Sequence, residues 1–242
     1  MINKDLLVRC AAAYGVEVDA VLAERLDVYA RLLAEWNEKI NLTAITDPTG
    51  IAVKHFADSL TAAPLLPEGA FTLIDVGTGA GFPGVPLALL RRDCRLTLLD
   101  SLNKRLIFLE ALCRELDLPV TLVHARAEEG GQNPAYREQF DVATARAVAA
   151  LPTLCEYCLP FVKVGGRFLA LKGPDGGQER AAAEKAVALL GGTVSEARAL
   201  VLPAQPEPGV EPMERQLIRI DKTRPTPPKY PRPSAKIAKQ PL

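Results

Sequence analysis

The stretch FTLIDVGTGAGFPGVPLALL, from Phe71 to Leu90, limits what this chain can fold into more than any other. It opens on a short apolar run, Phe71 to Val76, broken only by Thr72 and Asp75. A glycine cluster follows at Gly77, Gly79, Gly81 and Gly84, and then an apolar helical pattern of Val85, Leu87, Ala88, Leu89 and Leu90. A strand, a glycine turn and a helix in succession present bare backbone N–H groups to a small ligand.

The string Gly79-Ala80-Gly81-Phe82-Pro83-Gly84 spells the dinucleotide pattern G-x-G-x-x-G. Asp75 argues against that ligand. It stands at the strand end, two residues before the first glycine, where a carboxylate repels a pyrophosphate. It suits a cofactor that carries positive charge. S-adenosylmethionine has a sulfonium and an ammonium group, so D-x-G-x-G-x-G points to a methyl donor. The glycines serve close backbone approach and positive φ. The alternative is a glycine turn that merely packs a helix on a sheet.

At 242 residues the chain can bury a sizeable core as one domain with an extension, or as two small domains. Lys and Arg number 29, balancing 29 Asp and Glu. That excludes a surface that is basic everywhere and leaves room for a local basic patch. No apolar run approaches the roughly 18 residues of a membrane span. The opening MINKDLLVRCAAAYG lacks the apolar core and cleavage site of a signal peptide. The five cysteines, Cys10, Cys94, Cys113, Cys155 and Cys158, form no framework. A reducing, cytoplasmic setting is therefore expected. Cys155 and Cys158 form a lone C-x-x-C on a predicted helix; without a second pair or nearby histidines they read as buried small side chains. No metal is expected.

Residues 1–65 read as a helical extension. Asp19 is placed to cap a helix whose stripe is Leu22, Leu26, Tyr29, Leu33, Trp36 and Ile40. Glu38 to Pro48 reads as a loop, and Ile51 to Ala63 as a second helix with Lys54, His55, Asp58 and Ser59 on its polar side. That side is either a solvated face, with Asp58 in a capping or loop-ordering role, or a wall of a cleft through Lys54 and His55. Residues 66–222 then alternate strand and helix. Strands are predicted at Arg95–Asp100, Pro119–His124, Asp141–Arg146, Gly166–Lys172, Thr193–Leu202 and Met213–Ile220. Helices are predicted at Asn103–Leu116, Leu151–Phe161 and Gln178–Leu190. Such alternation implies an α/β fold with a mostly parallel sheet covered on both faces. PAQPEPGVEP, Pro203 to Pro212, cannot be helical. If the strands beside it are neighbours, the seventh and last runs antiparallel.

Ligands of open parallel sheets bind beyond the carboxyl ends of the strands. Those ends offer Asp75 with the glycine turn, then Asp100, 19 residues after Gly81 and suited to the two ribose hydroxyls. The alternative role for Asp100 is to cap the helix that follows, although Ser101 and Asn103 are better placed to do so. Beyond the third strand, Ala125-Arg126-Ala127-Glu128-Glu129 offers an acceptor and a backbone N–H that can read an adenine edge, or simply a surface acid. Arg146 sits at the mouth of the sheet, where its charge needs a partner; it faces substrate or cofactor. Lys172 can contact phosphate or base, or simply reach solvent. Residues 223–242 form a basic, proline-rich tail. From Lys222 onward it carries six Lys or Arg and no acid. Lys229 and Arg232 fit an RNA contact, and Tyr230 with Pro231 equally fits an arm that wraps the domain.

Several pieces together resemble the bacterial ribosomal RNA small-subunit methyltransferase G family, also known as glucose-inhibited division protein B. They are NLTAI at Asn41, KHFADSL at Lys54, IDVGTGAGFPGVPLA at Ile74, LLDSLNKRLIFLE at Leu98, ARAVA at Ala145, LKG at Leu171 and TPPKYPR at Thr226. They span nearly the whole chain in order. The resemblance implies a class I S-adenosylmethionine-dependent methyltransferase, Rossmann-like, acting on N7 of one guanine in 16S ribosomal RNA, free or within the 30S subunit. It carries S-adenosylmethionine binding over to Gly77, Phe82, Ala127, Glu128 and Arg146, beside Asp75, Gly79 and Asp100 from the residues themselves. S-adenosylhomocysteine is the implied product. RNA candidates are Lys54, His55, Lys172, Lys229 and Arg232, with Arg146 and Lys172 as substrate-orienting residues. No general base is expected, since guanine N7 already carries a lone pair. A monomer without membrane contact is expected. A methyltransferase of the same fold on another RNA or a protein, and a non-catalytic RNA-binding assembly protein, remain alternatives.

Overall fold

A computed structural model describes all residues, Met1 to Leu242. Two α-helices begin the chain, α1 (Lys4–Ala12) and α2 (Ala20–Ile40). Asp19 caps α2 as its sequence predicts, Oδ1 accepting from Leu22 N at 2.7 Å. Leu22, Leu26, Tyr29 and Leu33 of the stripe are buried. The helix ends at Asn41, which takes the left-handed conformation; Asn37 Oδ1 then accepts from Leu42 N and Thr43 N and turns the chain.

The helix expected from Ile51 departs from the regular form. Short α turns, α3 (Pro48–Gly50) and α4 (Asp58–Leu60), flank a π-helical segment, Ile51–Ala57. Its apolar side chains are buried. Wider π turns are common near functional sites, and no local propensity distinguishes them from α turns.

Seven strands follow: β1 (Phe71–Val76), β2 (Cys94–Asp100), β3 (Val120–His124), β4 (Phe140–Arg146), β5 (Val162–Lys172), β6 (Gly192–Leu202) and β7 (Met213–Lys222). Their order in one sheet is β3-β2-β1-β4-β5-β7-β6. All run parallel except β7, which pairs antiparallel with both β5 and β6. β5 begins four residues earlier than Gly166. Gly165, at φ +89°, accommodates the irregularity opposite Phe140 and Val142. The remaining helices are α5 (Gly84–Leu90), α6 (Asn103–Glu115), α7 (Ala127–Gln132), α8 (Leu151–Cys158), α9 (Gly176–Leu189) and α10 (Ser234–Lys239).

Two apolar layers cover the sheet. One unites α1, α2, the π segment, α5 and α6 with one face. The other unites α8 and α9 with the opposite face, and Cys155 and Cys158 are fully buried there as small apolar groups. No helix is long and apolar enough to cross a membrane. The chain leaves β1 toward β2 on one side and returns to β4 on the other, so the crevice opens at the carboxyl ends of β1 and β4.

The tail wraps the second layer. Lys222 Nζ donates to Leu159 O, Val162 O and Thr226 Oγ1, with Glu138 Oε1 at 3.1 Å. Burial lowers its pKa to about 8. Arg137 donates to Thr226 O and Tyr230 O, and Gln132 to Pro231 O. Tyr230 is buried. Arg232, expected on RNA, is instead paired with the wholly buried Glu156 through Nε and Nη2 at 2.9 and 2.7 Å. Two of the three guanidinium nitrogens are thus committed to Glu156 rather than to a phosphate. Lys229, over the Tyr230 ring at 5.2 Å, stays exposed, as do Lys236 and Lys239.

Candidate active site

The glycine turn is built around a buried acid. Asp75 Oδ2 accepts from Thr78 Oγ1 at 2.7 Å and from Gly84 N at 3.0 Å. Only glycine fits at Gly84, where a Cβ would come within 2.8 Å of the Asp75 side chain. Gly81 is held at φ +100°, and α2 braces the turn through Tyr29 Oη, which donates to Ala80 O. Burial pushes the Asp75 carboxyl up to about 6, against the Thr78 and Gly84 hydrogen bonds, which favour its charge. Its other oxygen, Oδ1, is buried without any hydrogen-bond partner, the sole side-chain atom of that kind in the chain. An orphaned carboxylate oxygen is costly, and it makes the ground beneath the turn favourable to a cation.

Beside the turn lies a cleft of about 300 Å³ between the ends of β1, β2, β3 and β4. Gly77, Asp100, Ala127 and Glu128 line it, together with Arg105, Val148 and Tyr157. Asp100 does more than face the cleft. Its Oδ2 accepts from Gly79 N at 2.9 Å and from Arg105 Nη1 at 3.3 Å, and its Oδ1 from Leu102 N at 2.9 Å. Neither Ser101 nor Asn103 caps α6; no side chain does. Asp100 takes the orphan N–H of Leu102 because it directly precedes the bend. A carboxylate offers about four acceptor positions, so one remains free, and the long Arg105 bond can yield a second. The Gly79 N–H is thereby occupied by protein, while a Cβ at Gly79 would point into open space.

A second cleft of about 330 Å³ adjoins the first, and Ala147 lines both. Its walls include Lys54, His55, Asp58, Arg146, Lys172 and Arg215. Arg146 finds the partner its burial demands: Nη1 lies 2.7 Å from Asp58 Oδ2 and also donates to Lys54 O and His55 O, carbonyls of the π segment. Arg215 Nε, from β7, holds the other Asp58 oxygen at 3.1 Å.

His55 is no phosphate cation. Burial and the adjacent Arg146 lower its pKa to about 3. Arg146 Nη2 donates toward Nδ1 at 3.3 Å, so the proton sits on Nε2 and is given to Thr43 Oγ1 at 2.8 Å. Phe82 is likewise internal: its ring stacks with His55 and Tyr29 at 4.4 and 5.1 Å between centroids and has Arg146 Cζ at 5.0 Å. It supports Arg146 rather than lining the first cleft. Lys172 Nζ is turned inward, to Ala149 O at 2.7 Å and Glu179 Oε2 at 2.8 Å.

Four residues of this neighbourhood carried no assigned role in the sequence: Arg105, Tyr157, Arg215 and Glu179. They stand on α6, α8, β7 and α9; only Arg105 lies in a quoted motif, LLDSLNKRLIFLE, and only the tertiary fold gathers them. Asp58 had a signal, its place in KHFADSL, which a solvated helix face explained equally well.

Solved structures with this fold include a methyltransferase from Pyrococcus furiosus, which superposes with a TM-score of 0.55 at 15% identity over 84% of this chain and 100% of its own. A precorrin-6y C5,15-methyltransferase from Geobacter metallireducens gives 0.53 at 16% identity, covering 69% of this chain and 88% of its own. The chain thus shares its fold with these methyltransferases. Sequence relatives are much nearer. A ribosomal RNA small subunit methyltransferase G from Acetivibrio thermocellus is 46% identical over 99% of this chain and 96% of its own length. One of the same name from Alkaliphilus metalliredigens is 48% identical over 94% of each. The family described as rRNA small subunit methyltransferase G matches residues 22–206. With the glycine turn, the paired clefts and near-full-length identity all in agreement, the chain belongs to the ribosomal RNA small subunit methyltransferase G family.

Proposed function

We propose that this enzyme transfers the methyl group of S-adenosylmethionine to N7 of one guanine in 16S ribosomal RNA. The observation that carries the reading is the meeting of two clefts at Ala147, one suited to a cationic nucleoside cofactor and one lined by Lys54, Arg146 and Arg215.

The residues present fit the cofactor. Asp75 places negative charge beneath the turn, with one oxygen unsatisfied. Asp100 retains acceptor capacity for ribose hydroxyls, while Ala127 and Glu128 open α7 beside the adenine position. Gly77 and Gly79 keep the turn bare for close approach. When bound, S-adenosylmethionine supplies an electrophilic methyl on a sulfonium.

The protein has orientation to contribute. N7 needs no proton removed, so the site calls for no general base, and the neutral His55 is consistent with that. Holding the base in line is worth up to about 7–11 kcal/mol. Arg146, fixed by Asp58 and by the π-segment carbonyls, presents a rigid wall to the base. Lys54 supplies a cation for phosphate, while Arg215 is held by Asp58, Glu214 O and Met213 Sδ. The deep major groove of A-form RNA hides N7, so the target guanine enters from a loop or distorted region. Lys229, Lys236 and Lys239 extend the basic surface.

In this reading residues 1–65 brace the glycine turn, residues 66–222 form the catalytic body and residues 223–242 latch it, in a monomer working in the cytoplasm. The test is methyl transfer from labelled S-adenosylmethionine to naked 16S rRNA and to 30S subunits, with mass mapping of the nucleosides. 7-Methylguanosine at one position is expected. Methylation elsewhere, or binding without turnover on both substrates, overturns the proposal.

A further inference from the structure

The partition between the two clefts is the loop that joins β4 to α8, and it is held from outside the site. Ala147 has φ +56°, a left-handed conformation unfavourable for an alanine. Val148 lies against the glycine turn, with Cγ2 2.9 Å from where a Cβ on Gly77 would stand. Arg146 fixes the start of the loop through Asp58. Its far end is fixed by Glu179 of α9. Glu179 Oε2 accepts from Leu151 N at 2.6 Å and from Lys172 Nζ at 2.8 Å, and the same Nζ donates to Ala149 O at 2.7 Å. Ala150, in the capping position of α8, has no side-chain acceptor, so Glu179 supplies one across space and its charge suits the helix N-terminus.

We infer that Glu179 is a positioning residue for methyl transfer, acting through Lys172 and Leu151 to hold Ala147 and Val148 between cofactor and base. Lys172 then serves the reaction by bracing this loop. Without the brace, Ala147 relaxes toward negative φ, Val148 leaves the glycine turn, and base and methyl lose alignment. The inference rests on the guanine-methylating reading of the site.

The experiment compares the full chain with Glu179→Ala, Glu179→Gln and the double variant Ala147→Gly/Glu179→Ala. It measures kcat and KM on 30S subunits, the S-adenosylhomocysteine Kd by calorimetry, and Tm. Expected are a kcat at least tenfold lower in Glu179→Ala with KM for RNA within about twofold, and a Kd at least threefold weaker. Glu179→Gln keeps an acceptor for Leu151 N–H but loses the charge facing Lys172, and falls between. Glycine adopts positive φ without the side-chain clash, so the double variant recovers at least threefold in kcat. A Glu179→Ala enzyme with parental kcat and Kd overturns the inference, as does a loss that the glycine leaves untouched. Should Glu179→Ala not fold, parental values in Glu179→Gln overturn it. The calorimetric arm reads the loop whatever the methylated atom proves to be, whereas a parent that makes no 7-methylguanosine overturns the functional reading alone.

Discussion

Arg146 and Asp58 form an ion pair at 2.7 Å with side chains only 13% and 3% exposed, and it bolts the end of β4 to the junction of the π segment and α4. Asp58 serves Arg215 as well. Asp58→Ala therefore strands two half-buried cations. The expected cost is about 3–5 kcal/mol in unfolding free energy, with methyl transfer falling at least tenfold as Arg146 loses its anchor. Denaturant unfolding and rRNA methylation read both. An Asp58→Ala protein as stable and as active as the parent would show that the pair neither holds nor orients.

Asp75 is expected to link cofactor affinity to pH. Its folded pKa, about 6, is raised above the ordinary 3.8 by burial. Its contribution to stability is thus present below 3.8 and lost as pH rises through 6. Asp75→Asn, which keeps an acceptor for Thr78 and Gly84, is expected to match or exceed the parent in Tm above pH 7. Its affinity for S-adenosylmethionine is expected to drop at least tenfold at pH 7.5. The parent's affinity weakens as pH falls through 6, and the variant's does not. Parallel pH profiles in calorimetry would remove Asp75 from the binding energetics.

His55 acts in the opposite sense. Its folded pKa, about 3, lies below the ordinary 6.5. The stability it contributes is complete above 6.5 and is lost as pH falls from there toward 3. His55→Gln is expected to flatten the decline in stability between pH 6.5 and 4. An identical acid limb in both proteins would mean that His55 is not held neutral.

The tail is a latch before it is a contact. Arg232→Ala leaves Glu156 charged, fully buried and without its partner, and about 3–5 kcal/mol of stability should go with it. Truncation before residue 223 uncovers Tyr230's seat on the core, so it tests folding more than RNA binding. The cleaner test replaces the exposed Lys229, Lys236 and Lys239 by alanine. Tm should hold, while the slope of log affinity for RNA against log salt shrinks by about 0.7 for each phosphate contact removed. An unchanged slope assigns the tail to structure alone.

Periodicity and punctuation in the sequence determined the seven strands, the capped α2 and the acid-glycine pattern of the turn, because each is a local property, whereas the antiparallel run of the last strand depended on its pairing with β6. Asp19 precedes its helix, glycines stand where φ is positive, and apolar runs mark strands buried on both faces. Family resemblance then supplied the reaction. The roles of Phe82, His55, Lys172 and Arg232 were not legible. An aromatic ring or a charge in a motif reads alike whether it meets a ligand or another part of the chain. Each meets a partner elsewhere in the chain: Tyr29 for Phe82, Thr43 and Arg146 for His55, Glu179 for Lys172, Glu156 for Arg232. Burial then followed from packing. The same packing widened Ile51–Ala57 into π turns whose carbonyls receive Arg146, and brought Ala147 between two clefts. The sequence thus determined most of the fold and the glycine turn, where local pattern is enough. Only the tertiary structure decided which charged groups face a ligand, because a charge removed from water must find its counter-ion wherever the fold places one.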